Sequence, residues 1–302
     1  VERLIDTAAR EMWIDRAEIR RRNLIPPSAM PFKTGLTFTY DCGDFPANME
    51  QALARADYAG FEARRAEAAR RSKLRGIGIA NFVEQTAQAD GETVRLSFDA
   101  SGTLTVLAGS ISHGQGHDTM YKIILSDRLG LDADKIRLVQ GDTDAVPFGW
   151  GTYSSRTAVM GSAAAVTAAD KVIDKGKRIA GHLLEAAEAD IEFAAGPSGG
   201  QFRVAGTDRS VSIEEVARTA YTPAKLPPGL EPGLAETATF HPVPNNPTFP
   251  NGCQVCEVEI DPETGRTELL RYTVVDDVGT VINKLTLEGQ VHGGIGQGVG
   301  QV

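Results

Sequence analysis

Apolar residues alternate with polar ones in some stretches of this chain and recur every three to four positions in others, and the two periods predict its elements. Residues 1–22 carry Leu4, Ile5, Ala8 and Met12 at helical spacing among charges, which predicts a surface helix. The segment 26–48 holds Pro26, Pro27, Pro31 and Pro46 and is expected to be loop. From Met49 to Arg71, alanines, arginines and glutamates predict a second helical stretch, mostly polar and solvent-facing. At Leu74-Arg75-Gly76-Ile77-Gly78-Ile79-Ala80 the texture turns to glycine-rich strand, so a domain boundary is expected near residue 73, dividing 1–73 from 74–302.

Beyond it, Thr93–Phe98 and Thr103–Leu107 alternate around Asp99-Ala100-Ser101-Gly102, a hairpin signature. The second strand runs into a glycine turn at 114–116, and residues 117–129 then repeat at helical spacing (Met120, Ile123, Ile124, Leu129) before Gly130 stops them. A strand at Ile136–Val139 follows, then a loop rich in glycine and aromatics to Tyr153. A long helix is expected from about Thr157 to Glu188, buried because Ala163, Ala164, Ala168 and Ala169 permit close packing. Ser212-Ile213-Glu214-Glu215 is a capping box opening a helix at 213–220, and Asp261-Pro262-Glu263-Thr264-Gly265 turns a last hairpin. Helices mixed with hairpins, rather than strict β-α-β order, predict an α+β fold of layered sheets and hairpins packed against helices.

Composition narrows the partners. With 302 residues, 41% of them hydrophobic, the chain is long enough for one or two sizeable cores. A net charge of −9 disfavours nucleic acid and anionic membranes, and no apolar run approaches the roughly 20 residues of a spanning helix. Three cysteines, Cys42, Cys253 and Cys256, are too few for a disulfide framework or a four-thiolate cluster, so a reducing, cytoplasmic setting is expected. Cys253 and Cys256 have C-x-x-C spacing but sit in an alternating segment, where positions three apart face opposite ways. The first residue is Val1, so the chain reads as an excised piece.

Three clusters carry candidate chemistry. Ser112-His113-Gly114-Gln115-Gly116-His117-Asp118-Thr119 joins side-chain-free backbone to a helix start, whose N–H groups and dipole favour an anion such as phosphate. A plain turn capped by Asp118 or Thr119 is the alternative. A nicotinamide dinucleotide site is a rival, because the segment is one glycine short of G-x-G-x-x-G and Asp142 lies downstream. Against it stand Thr119 in place of the third glycine and the hairpin strand in place of a parallel one. His113 and His117 are four apart, but glycines break the helix that would align them on a metal. The second cluster, Gly149–Thr157, offers Thr152, Ser154, Ser155 and Arg156 to a phosphate or polar heterocycle, or simply caps a helix. The third is Glu288–Gln301, where Gly289, Gly293, Gly296 and Gly300 would form one bare helical stripe beside Gln290, Gln297 and Gln301. Amides there suit a pterin-like edge, while a glycine-rich packing helix is the plainer reading.

In this order, with Gln140-Gly141-Asp142-Thr143-Asp144 between the first two clusters, the segments resemble the molybdenum-binding large subunit of the xanthine dehydrogenase family, in the style of bacterial aerobic carbon monoxide dehydrogenases. Glu2–Asp6 and Arg20-Arg21-Arg22-Asn23 extend the resemblance to nearly the whole chain. It implies that 1–73 is the end of a first molybdenum-cofactor-binding domain and 74–302 a truncated second one. It implies molybdopterin cytosine dinucleotide, its molybdenum ligated by the pterin dithiolene and not by protein. Gly114, Gln115, Gly116, His117, Asp118 and Thr119 would bind the cofactor, with Gln115 near its metal end. Thr152, Ser154, Ser155 and Arg156 would line its phosphate and nucleotide portion, and Gln290 or Gln297 would reach the pterin. Ser154 departs from the glycine that relatives often carry. The implied reaction is hydroxylation of an aldehyde, N-heterocycle or similar small molecule with oxygen from water. Electrons would leave through a 2Fe-2S small subunit and an FAD-binding medium subunit, in a dimer of heterotrimers. The glutamate base that assists in this family is expected beyond Val302, so the chain alone is expected not to turn over. A nicotinamide-type dehydrogenase and a non-catalytic module are the alternatives.

Overall fold

The computed structural model describes residues 1–87, 91–146, 148–242 and 247–302. In chain order the helices and strands begin with α1 (Glu2–Glu11), α2 (Arg16–Asn23), β1 (Phe32–Lys33), β2 (Thr39–Tyr40), α3 (Phe45–Arg55), α4 (Phe61–Arg70) and β3 (Leu74–Val83). There follow β4 (Glu92–Phe98), β5 (Leu104–Ala108), α5 (His117–Leu129), β6 (Ile136–Val139) and α6 (Ser162–Leu183). The chain continues through β7 (Ile191–Gly196), β8 (Gly199–Val204), β9 (Ser210–Ser212), α7 (Ile213–Ala220) and β10 (Leu234–Phe240). It closes with β11 (Asn251–Ile260), β12 (Thr267–Asp277) and α8 (Lys284–Gly300). Two compact units emerge, one from residues 1–86 and 244–280, the other from 87–243 and 281–302. The expected division at 73 is not where these units part, because β3 pairs along its whole length with β11 and so belongs with the helices before it. The change of texture at 73 marks helix giving way to strand.

In the first unit the antiparallel sheet β12-β11-β3 carries α3 and α4. The expected single surface helix is two, since Asp15 accepts from the N–H groups of Ala17 (2.8 Å) and Glu18 (3.1 Å) and starts α2. Arg20 on α2 is buried and reaches back to α1, pairing with Glu2 at 2.7 Å and Asp6 at 2.7 Å. The 49–71 stretch is also less solvent-facing than its composition predicts. Met49, Ala52, Leu53, Phe61 and Ala68 are buried, the first four in one cluster with Ile77, Ile79, Cys253 and Val255 of the sheet. A stripe that narrow is sufficient for burial while the rest of each helix stays charged. Cys253 is buried and Cys256 half-buried on opposite faces of β11, as alternation requires.

In the second unit the sheet order is β10-β4-β5-β6. β4 and β5 form the expected hairpin, and every second residue on them (Val94, Leu96, Phe98; Leu104, Val106, Ala108) is buried in one core. Each large side chain there contributes roughly 1.5–3 kcal/mol by leaving water. α6 lies over β4 and β10 with Ala164, Ala165, Ala168 and Ala169 buried, so close approach follows from small side chains. The expected helix at 157–188 is shorter: a π-turn at Thr157–Gly161 leads into it, and it ends at Leu183. α7 starts with Ser212 accepting from Glu215 N–H at 3.2 Å and packs beside the small antiparallel sheet β7-β8-β9. One pairing departs from expectation. β5 runs parallel to β6, with α5 crossing between them, so a β-α-β unit is built onto the hairpin.

Candidate functional site

The first cluster occupies the loop from β5 to α5. Gly116 is the N-cap of α5 in the left-handed region (φ +77°), and no side chain caps that end, so the first-turn N–H groups and the positive end of the dipole stand without a capping partner. Gly114 is also left-handed (φ +112°), and a Cβ there would meet nothing within 4 Å, which leaves its backbone open. His113 N–H donates to Gln115 Oε1 at 2.5 Å, folding the amide carbonyl back and fixing the half-buried Gln115 side chain. His117 does not face outward: its side chain is buried, with Nδ1 3.3 Å from Gln140 Nε2. Gln140 Nε2 also donates to Ser110 Oγ at 3.1 Å. Burial draws the pKa of the ring below the usual 6.5 and outweighs the Gln140 hydrogen bond, which acts to raise it. Asp118 and Thr119 are exposed, Asp118 pairing with Lys122 at 2.9 Å.

The second cluster is laid against the first. Thr152 Oγ1 donates to Ile111 O at 2.7 Å and accepts from Ile111 N–H at 3.2 Å. The two loops cross at Gly109 and Gly149, where a Cβ on Gly109 would lie 2.3 Å from Gly149 Cα; the crossing requires two glycines. Ser154 and Ser155 are both left-handed (φ +50°), and Ser154 O accepts from Ala87 N–H at 3.3 Å. Arg156 is not on this surface. Its side chain is 0% exposed and paired with an equally buried Glu92, so it presents no charge to a phosphate.

The third cluster is helical, as α8, with Asn283 capping it through Thr286 N–H at 2.9 Å. It meets the first cluster at its opening turn: a Cβ on Gly116 would stand 2.9 Å from Thr286 Cγ2. Gln290 and Gln297 follow Thr286 by four and eleven positions, which places them on the same face of α8. Gln297 is roughly 16 Å further along the axis at 1.5 Å per residue. Both glutamines are exposed and no residue of α8 is buried, so the glycine stripe lies open.

The tertiary fold therefore ties the first loop to Thr152 through Ile111 and to the start of α8 through Gly116, and sends the side chains of Arg156 and His117 inward. The parallel β6 weakens the hairpin argument against a nicotinamide site, but β5 remains antiparallel to β4 and buries only alternate residues, and Thr119 still replaces the third glycine. Asp142, the acidic residue of that rival reading, is engaged in its own turn, accepting from Asp144 N–H at 2.9 Å. Sequence reasoning from the clusters themselves missed Glu92, Ser110 and Gln140 beneath the loops. Gln140 lay in a quoted motif, while Glu92 at a strand start and Ser110 beside a glycine carried no signal. Among the described residues no group of three His, Cys, Asp or Glu side chains is arranged to hold a metal ion.

Residues 51–302 match the molybdopterin cofactor-binding domain family. The carbon monoxide dehydrogenase large chain of Hydrogenophaga pseudoflava is 35% identical over 99% of this chain and 38% of its own length. The nicotine 6-hydroxylase large subunit of Paenarthrobacter nicotinovorans is 32% identical over 99% of this chain and 37% of its own. The crystal structure of quinoline 2-oxidoreductase from Pseudomonas putida 86 superposes with a TM-score of 0.87 at 35% identity, over all of this chain and 39% of that one. The chain thus spans about two fifths of the length of these relatives. With a family match over most of its length, the chain belongs to the molybdopterin cofactor-binding domain family.

Proposed function

We propose that this chain is the cofactor-holding portion of a molybdenum hydroxylase large subunit, binding molybdopterin cytosine dinucleotide. The reading is supported above all by the uncapped N-terminus of α5 beside the open backbone of Gly114, with the Thr152–Ser155 loop hydrogen-bonded alongside. That donor set fits a pyrophosphate: main-chain N–H groups and hydroxyls bind and orient it, and the partial positive charge of α5 offsets its charge. Gln115, pinned by His113, and Gln290 and Gln297 on α8 offer amides to the pterin and its surroundings. The buried Arg156 is assigned no contact with the cofactor. When bound, the group supplies the two-electron oxidation chemistry of hydroxylation; this chain's residues bind it and hold its orientation. The remaining assignments are an aldehyde, N-heterocycle or similar small substrate, a 2Fe-2S small subunit and an FAD-binding medium subunit, in a dimer of heterotrimers in the cytoplasm. As family segments rather than compact units, residues 1–73 are assigned to the C-terminal part of the first cofactor-binding domain and 74–302 to a truncated second one.

Purification of the full-length subunit with its associated subunits, followed by assay of molybdenum, pterin and acid-released cytidine monophosphate, tests this. One of each per large subunit is expected, and Gln115→Ala should lower all three together by about tenfold. Pterin without cytidine monophosphate would overturn the dinucleotide, and bound nicotinamide nucleotide would overturn the hydroxylase reading.

A further inference from the structure

We propose that the buried Glu92–Arg156 ion pair is the joint that sets both cofactor loops, making these two residues positioning residues for the dinucleotide; this rests on the cofactor reading above. The two side chains lie 64 residues apart in sequence, and both are fully shielded from solvent. Arg156 Nη1 donates to Glu92 Oε2 and to Gly151 O at 2.9 Å, while Nη2 donates to Gly91 O at 2.6 Å. Its guanidinium also lies over the Tyr153 ring, 5.5 Å from the centroid. One planar group therefore closes the 151–156 turn on itself and fastens it to the start of β4.

Between those anchors sit Ser154 and Ser155, both at φ +50°. Residues with a Cβ seldom adopt that region, so two in succession need a constraint from outside the turn. The other Glu92 oxygen, Oε1, accepts from Thr93 N–H at 3.2 Å and lies 3.0 Å from where a Cβ on Gly109 would stand. The carboxylate thus underlies the Gly109–Gly149 crossing, where the first loop meets the second. Among the described residues, the acceptors that Arg156 reaches through Nη1 and Nη2 are Glu92 and the backbone of these segments, while its buried Nε has no partner. A buried pair of this kind can often be exchanged for apolar side chains without loss of stability. Its particular contribution here is directional: the two Nη groups, held in one plane and anchored on Glu92, specify where Gly91 O and Gly151 O must be.

The test uses the full-length subunit in its complex. Arg156→Ala alone risks misfolding, because it leaves a carboxylate buried without a partner. The double variant Glu92→Gln/Arg156→Met removes both charges, keeps an acceptor for Thr93 N–H and preserves bulk, but cannot grip the two carbonyls. Its melting temperature is expected to stay within a few degrees of the parent. Amide hydrogen exchange should accelerate at least tenfold in peptides covering both 109–116 and 149–156, and bound cytidine dinucleotide should be lost at least tenfold faster on dilution. A folded double variant with parental exchange in these two loops would overturn the inference. If the parent protein holds no pterin dinucleotide, the proposed function fails, while exchange in the two loops still decides whether the pair is their joint.

Discussion

His117 opens α5 only 3% exposed, with Nδ1 3.3 Å from Gln140 Nε2. Burial lowers its pKa below 6.5, so on acidification the unfolded chain takes up a proton that the folded one refuses. Stability is full above about pH 6.5 and declines as pH falls from there toward the folded pKa. Melting curves between pH 7.5 and 5.5 should show this decline in the parent and a shallower one in His117→Gln; equal slopes would refute it. The neighbouring residue Gly116 tests backbone rather than charge. Gly116→Ala places a Cβ at φ +77° and against Thr286, and should lose about 1–2 kcal/mol in urea denaturation. Gly114→Ala meets no atom and should lose only the conformational part. At this scale the sequence marked Gly114 and Gly116 as a turn before a helix, and both are left-handed there. It misplaced Arg156, because a charged residue among hydroxyls reads as a surface group until its partner Glu92 is seen.

Among the elements, α5 follows the predicted bounds, residues 117–129, with Gly130 left-handed after it. Its start and stop are both written locally, in a glycine before and a glycine after. Hairpins β4–β5 and β11–β12 were legible for the same reason, since alternation and turn chemistry lie within a few residues. The start of α6 was not, because a π-turn at Thr157–Gly161 has no sequence period distinct from an α-helix. The pairing of β6 beside β5 was also hidden. Strand partners across a helix are chosen by packing of the whole layer. The capped start of α7 is a case in which local chemistry suffices: Ser212→Ala should remove about 1 kcal/mol, while Ser212→Asp should retain it, as read by thermal melts.

For the whole molecule, the ion pairs of the first unit show how charge can organise packing. Glu257 on β11 is 2% exposed and accepts from Arg64 Nε at 3.0 Å and Arg75 Nε at 2.6 Å, tying α4 and β3 to the sheet. Burial acts to raise its pKa, but the two guanidinium groups more than reverse this and hold it below 4.5. Its contribution is therefore present above about pH 4.5 and is lost as pH falls through the lowered folded value. Glu257→Gln should cost about 3 kcal/mol at pH 7 and flatten that acid dependence, measured by denaturant midpoints across pH 3–7. Arginines in a helical stretch predict a solvated surface, and here Arg64 of α4 is drawn onto the buried Glu257 instead. Local pattern determined α5, α7 and the hairpins β4–β5 and β11–β12, the open glycines of the first loop and, through the order of its motifs, its family. Tertiary structure alone decided that β3 belongs with strands nearly 180 residues later, which side chains of the three clusters turn inward, and that a buried pair lies beneath them. The reason is physical: periodicity and turn chemistry act over a few residues, whereas register between distant strands and the pairing of buried charges depend on which surfaces the folded chain brings together.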